Sequence, residues 1–205
     1  MFMKKIIENS LKTAISYSDY RSLVSNLLIK GKSTGPEQSD DLTNYSTLND
    51  RRMKRLDKTI KISEETIQEF QKVKQPQTWL VLTEGWCGDA AQNLPILNKI
   101  ASDTANIDLK IVLRDENLDL MDLFLTNGGR NIPKLIALDK DNNVLDLWGP
   151  RPTVATKMVI DYKEKNGALD PQFKQDLQVW YNKDKGKSVQ EDFVNLVAKL
   201  SVQEN

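Results

Sequence analysis

Trp79-Leu80-Val81-Leu82-Thr83-Glu84-Gly85-Trp86-Cys87-Gly88-Asp89-Ala90 decides how this chain folds. Residues 79–83 form the unbroken run expected of a central strand buried on both faces. Trp86-Cys87-Gly88-Asp89-Ala90 follows where that strand hands over to a helix. A thiol at such a junction lies beside the free backbone N–H groups of the helix start, which favour the thiolate. Cys87 is the only cysteine in 205 residues. Ala90 stands three positions on, where a redox pair would hold its second sulfur, so Cys87 forms no disulfide within its own chain.

Composition narrows the remaining chemistry. Lys and Arg number 29 and so do Asp and Glu, so the formal charge is zero. A neutral chain exerts no global pull on phosphate backbones or anionic membranes, and nucleic acid is not the expected partner. There is no histidine, which removes His-based triads and His-ligated metals, and one cysteine builds no zinc or iron–sulfur centre. No metal and no cofactor are expected. The N-terminus has no apolar stretch of signal length, and nothing approaches the roughly 20 apolar residues of a membrane span. A cytoplasmic protein is the expectation, and a lone thiol agrees with a reducing compartment.

Working outward, the first third reads as helical. Ser18-Asp19 predicts a cap before Tyr20, Leu23, Val24, Leu27 and Leu28, with Gly31 as the stop. Lys32 to Asp40 reads as a loop around Gly35-Pro36. A second helix from about Asp41 carries Leu42, Tyr45, Leu48, Met53 and Leu56, and its run Arg51-Arg52-Met53-Lys54-Arg55, flanked by Asp50 and Asp57, reads as a solvated face. From residue 58 strands and helices alternate, which predicts a mainly parallel sheet covered by helices. The expected strands are Thr59–Ile62, Trp79–Thr83, Ile107–Leu113, Lys134–Leu138 and Val144–Trp148, the last two joined as an antiparallel hairpin by Asp139-Lys140-Asp141-Asn142-Asn143. Helices are expected after Ser63, from Cys87 past a bend at Pro95, over Leu118–Leu125 and over Thr153–Lys165. Beyond Gly167, Asp170-Pro171 opens a helix with Phe173, Leu177 and Trp180 on one face, and Ser188 to Glu191 forms a capping box before Phe193, Leu196, Val197 and Leu200.

This order of elements, with a thiol after the second strand, resembles the thioredoxin fold. Trp86-Cys87-Gly88 is similar to the first half of that family's Trp-Cys-Gly-Pro-Cys motif, Pro95 falls where its members kink the same helix, Asn131-Ile132-Pro133 resembles its cis-proline signature, and Gly149 falls where a glycine commonly ends the second hairpin strand. The resemblance implies an α/β chain: a mixed sheet with helices on both faces, residues 58–166, with helical extensions over residues 1–57 and 167–205 packed on it or on each other. A dimer surface is the alternative for their apolar stripes. It also implies a cis Ile132–Pro133 bond beside the thiol, with the Ile132 backbone pairing to an extended substrate.

The departures bear on the reaction. Asp89-Ala90 replaces Pro-Cys, so no second thiol in the chain ejects a mixed disulfide. Val81 occupies the place where thioredoxins carry a buried acid six residues before the first cysteine. Glu84, three residues before Cys87, reads as a solvated carboxylate at the strand end, with a substitute base as the alternative. Cys87 is expected to be exposed and reactive, yet less acidic than a strongly oxidising member's thiol, because Asp89 competes for the helix-start N–H groups. The resemblance implies monothiol exchange: Cys87 attacks, Trp86, Gly88, Asp89, Ala90, Ile132 and Pro133 contact the substrate, and a protein or low-molecular-weight thiol finishes the reaction. A redox-silent module that uses the same groove to hold partners is the competing expectation. Trp79, Trp148 and Trp180 read as core residues.

Overall fold

The computed structural model describes residues 2–203, with side chains through residue 199, so Met1 and the Leu200 side chain lie outside the described residues. The sheet has four strands in the order β2-β1-β3-β4: β1 Gln77–Thr83, β2 Ile107–Leu113, β3 Lys134–Leu138 and β4 Val144–Trp148. Trp79, Leu80, Val81 and Leu82 are fully buried, as the continuous apolar run requires. β1 pairs in parallel with β2, Val81 opposite Ile111, and antiparallel with β3, Val81 opposite Leu135. β3 and β4 form the expected antiparallel hairpin. Asp139 Oδ1 accepts the N–H groups of Asp141 and Asn143, both at 2.8 Å, while Asn142 takes the left-handed conformation at φ 61°. An Asx turn of this kind is why a stretch so rich in Asp and Asn closes the hairpin.

Thr59–Ile62 is not a strand. The helix expected from about Asp41 runs Asp40–Thr59 (α3, after α1 Phe2–Thr13 and α2 Tyr17–Ile29), and the segment behind it meets a side chain instead of a sheet. Gln190 gives its amide N–H to Lys61 O and accepts Ser63 N–H at 2.8 Å, supplying bonds that a ladder would have supplied. The sheet edge beside β2 instead receives one antiparallel bridge from Ile15, whose N–H and carbonyl bond Ile111 at 2.9 and 2.8 Å.

The remaining helices follow their caps. Ser16, not Ser18, caps α2 by accepting Asp19 N–H, and Ser39 caps α3. Ser63 caps α4 (Glu64–Phe70), α5 is Gly88–Ser102, and α6 (Leu118–Leu123) stops two residues short of the expected Leu125. α7 is Thr153–Asn166, Asp170 caps α8 (Pro171–Asp184), and α9 is Lys187–Gln203. The capping box expected at Ser188 does not form. Asp184 accepts both Ser188 N–H and its hydroxyl, placing Ser188 inside the first turn of α9.

Both flanks bury their stripes on the sheet unit. Phe193 of α9 sits 4.8 Å from the Trp79 ring and 5.1 Å from Trp148, and Phe70 meets Trp79 edge-on at 5.8 Å. Phe173, Leu177 and Tyr181 of α8 form a second cluster with Ala155 and Val159 of α7, and Trp180 packs half-buried at its edge. α3 lies against α5 and buries Ser46, Asn49 and Met53, one face at helical spacing. Tyr45 and Leu48, expected on the buried face, stay 57% and 46% exposed.

Candidate functional site

Cys87 is the N-cap of α5: its carbonyl accepts Ala91 N–H at 3.1 Å, the first bond of the helix, and its Sγ accepts Ala90 N–H at 3.4 Å. Across the site the thiol donates to the carbonyl of Ile132 at 3.2 Å, and the Ile132–Pro133 bond is cis. The spacing of 45 residues in sequence thus closes to one hydrogen bond. Gly149 holds this arrangement from behind. At φ 110° it lies so close to Pro133 that a Cβ would stand 2.2 Å from the proline carbonyl oxygen. A second cis bond, Gly149–Pro150, follows.

The turn that carries the sulfur is gripped from the N-terminal flank. Gly85 N–H donates to Thr34 Oγ1 at 2.8 Å, and Gly85 O accepts Asn49 Nδ2 at 3.0 Å. Asn49 Oδ1 in turn accepts Arg52 at 2.8 Å, and Ser33 and Ser46 hydroxyls bond each other at 2.6 Å. Ser33, Thr34, Ser46 and Asn49 are all buried, so the Ser33-Thr34 part of the expected loop over residues 32–40 is packed against the turn and α3. The C-terminal flank grips the other side. Asp89 takes the Tyr181 hydroxyl at 3.0 Å and, from within the sheet unit, the Arg151 guanidinium at 2.6 Å. Gln92 donates to Gln178 at 3.0 Å.

Two expectations are overturned by this cover. Cys87 is buried, at 8% relative exposure, and not exposed. Burial, then the carboxylate of Asp89, pushes its thiol up to about 12, against the downward pull of the Ala90 and Asp89 N–H groups and of Arg151. Glu84 is fully buried instead of solvated, with Oε1 accepting Asp115 N–H at 3.0 Å, and burial raises its carboxyl above the ordinary carboxylate range. Val81 is buried at the position of the missing acid, as expected.

Trp86, Cys87, Gly88, Asp89 and Ile132 line one open groove of about 750 Å³, while Ala90 is buried beneath it and Pro133 stands behind Ile132. Trp86 is half-buried with the Arg114 guanidinium 4.8 Å over its ring, a cation–π contact. Arg52, Arg130, Arg151 and Lys174 also line the groove. The sequence marks none of these cations as a groove residue. Arg52 reads as part of a solvated face, and only its position seven residues after Tyr45 and three after Asn49 hints that it shares their side of α3. Asp50 and Asp57, which flank its basic run, pair instead with Arg21 of α2, at 2.8 and 3.3 Å. Among the described residues no group of three metal-ligating side chains comes together and no helix is long and apolar enough to cross a membrane.

A four-stranded mixed sheet with a cysteine capping the helix after its central strand, facing a cis proline, defines a thioredoxin-fold protein with one site thiol. A family model described as thioredoxin matches residues 35–163, more than half of the chain, and the chain belongs to the thioredoxin family. Among solved structures, a protein of unknown function from Pseudomonas aeruginosa is similar at 18% identity and a TM-score of 0.56, covering 90% of this chain and 98% of its own. An HIV epitope scaffold is similar at 17% identity and a TM-score of 0.55, covering 90% of this chain and 99% of its own. Coverage of that extent takes in most of the helical flanks as well as the sheet, so the likeness of fold extends beyond the sheet unit. No curated protein matches the chain.

Proposed function

We propose that this protein carries out monothiol thiol–disulfide exchange through Cys87. The observation that carries the reading is the sulfur's place: at the N-cap of α5, 3.2 Å from the Ile132 carbonyl and on the wall of an open groove. The Cys87 thiolate attacks one sulfur of a disulfide, forming a mixed disulfide and releasing the other sulfur as a thiolate that takes up a proton. A thiol from a second molecule then attacks that mixed disulfide, restores Cys87 and carries the bound sulfur away in a new disulfide. Trp86, Gly88, Asp89, Ala90, Ile132 and Pro133 shape the contact. Residues 58–166 hold the chemistry, and the flanks 1–57 and 167–205 fix it in place. A reducing, cytoplasmic setting suits the single thiol.

The test is intact-mass analysis after incubation with the disulfide of mercaptoethanol. One adduct on native protein, absent from Cys87→Ser and removed by fresh thiol, is the expected result. No adduct on native protein, under conditions where urea-unfolded protein is modified, overturns the reading. A redox-silent partner-binding module is the second reading, favoured by the buried, hydrogen-bonded thiol. Under it, Cys87→Ser keeps every partner that the native protein binds.

A further inference from the structure

We propose that the groove beside Cys87 binds an extended acidic segment of a partner protein that carries at least one large apolar side chain. The inference rests on the groove being the place where the exchange substrate lies, and it names that substrate's class. The chain is neutral overall, yet Arg52, Arg114, Arg130, Arg151 and Lys174 line this one groove against a single carboxylate, Asp89. Some of that charge is answered locally. Arg151 pairs with Asp89, Arg114 with Asp115 at 2.7 Å, and Arg130 with Asp122 at 2.6 Å.

Arg52 and Lys174 have no carboxylate partner among the described residues. Arg52 is half-buried, with only the Asn49 amide oxygen as acceptor. A guanidinium removed from water without a counterion is costly, and desolvation, then the neighbouring Arg55, already disfavours its charged form. A ligand carboxylate on the Arg52 guanidinium supplies the counterion that the protein does not.

A small free dicarboxylate would use the cations alone. Tyr45 and Leu48 continue the groove as an exposed apolar shelf on the side of α3 that carries Asn49 and Arg52. A peptide whose carboxylates meet the cations while an apolar residue lies on this shelf uses the whole surface. The groove volume is at the upper part of the range of about 300–1,000 Å³ that holds a drug-sized ligand.

Fluorescence anisotropy tests this with the Cys87→Ser protein and a labelled peptide, Glu-Leu-Glu-Ser-Glu-Phe-Glu, so that binding is read without exchange. The expected result is saturable binding that the Gln-for-Glu peptide loses roughly tenfold or more, and that Arg52→Gln and Lys174→Glu each weaken roughly fivefold or more. Circular dichroism monitors the fold. If Arg52→Gln does not fold, Lys174→Glu decides, because Lys174 is exposed. Equal binding of the Gln peptide, unchanged affinity in the folded variants, or displacement by succinate at the same concentration as by unlabelled peptide overturns the proposal. Binding to Cys87→Ser together with no adduct on native Cys87 sinks the exchange reading and leaves this one standing; the reverse pattern does the opposite.

Discussion

The reactivity of Cys87 against pH is the sharpest consequence of the site's geometry. At pH 8 a thiol held at about 12 is ionised to about one part in ten thousand, whereas an ordinary thiol near 8.5 is ionised to about a quarter. The thiolate is therefore about two thousandfold scarcer. A more basic thiolate is also a better nucleophile, and a Brønsted slope of about 0.4–0.5 over this difference returns about fortyfold. Native protein should thus react with an aromatic disulfide reagent roughly sixtyfold more slowly than urea-unfolded protein at pH 8, before any steric hindrance. The assay is absorbance of the released aromatic thiol from pH 7 to 10.5. In native protein the logarithm of the rate should climb one unit per pH unit throughout; in unfolded protein it should level off above pH 9. Asp89→Asn removes the second cause of the upward shift and leaves the Arg151 charge facing the sulfur, so its rate at pH 8 should rise, by roughly three- to fourfold for each unit that the thiol comes down. A native rate that levels off below pH 9, or that lies within a few-fold of the unfolded rate, refutes the reasoning. An unchanged rate in a folded Asp89→Asn protein refutes its electrostatic half.

Three further outcomes follow from the same contacts. Gly149→Ala forces a Cβ into the Pro133 carbonyl from a left-handed backbone and should cost about 3 kcal/mol or more, read as a lowered urea midpoint with loss of peptide binding. Between about pH 8.5 and 12 the unfolded thiol has lost its proton while the folded one keeps it, so the native state loses up to about 1.4 kcal/mol of stability per pH unit as pH rises. Cys87→Ala should flatten that loss between pH 9 and 10 in urea titrations, and an equal slope in both proteins rejects it. Asn49→Ala leaves Gly85 O without its donor at a buried position, which should cost about 1–3 kcal/mol and speed disulfide modification of Cys87; a cost without faster modification means that the turn does not depend on this clamp.

Much of the frame is legible in the chain because its signals are local. The apolar run at Trp79–Thr83, the Asp139–Asn143 turn, the Ser63 and Asp170 caps and the Cys87 junction each act over a few residues, and each forms as read. Thr59–Ile62 fails because its backbone partner is Gln190, 129 residues from Lys61. The exposure of Cys87 and of Glu84 is misread for the same reason. Their neighbours Gly85 and Asp89 are held by the loop at Thr34 and by α8, and α3 packs on α5, while their own partners Ile132 and Asp115 lie far along the chain. Only its helical spacing from Tyr45 and Asn49 distinguishes Arg52 from Arg51 in sequence, and it is the packing of α3 on α5 that turns one toward the groove and the other to water.

These misreadings share one cause, and it bears on what the flanks are for. In the Trp-Cys-Gly-Pro-Cys motif the residues after the first cysteine serve the dithiol. Here Asp89 faces away from that task and ties Tyr181 and Arg151 to the helix start, while Thr34 and Asn49 hold both polar groups of Gly85 on the other side. The loss of the second sulfur thus coincides with a site that both extensions cover and immobilise. A covered, protonated thiol resists adventitious oxidation, because attack needs the thiolate and access. In the exchange proposed above, it would yield to a substrate that displaces water from the groove and answers its unpaired cations. Selectivity then resides in the cover more than in the sulfur, so changes in Thr34, Asn49, Tyr181 or Arg151 should alter which disulfides react more than whether Cys87 is able to react.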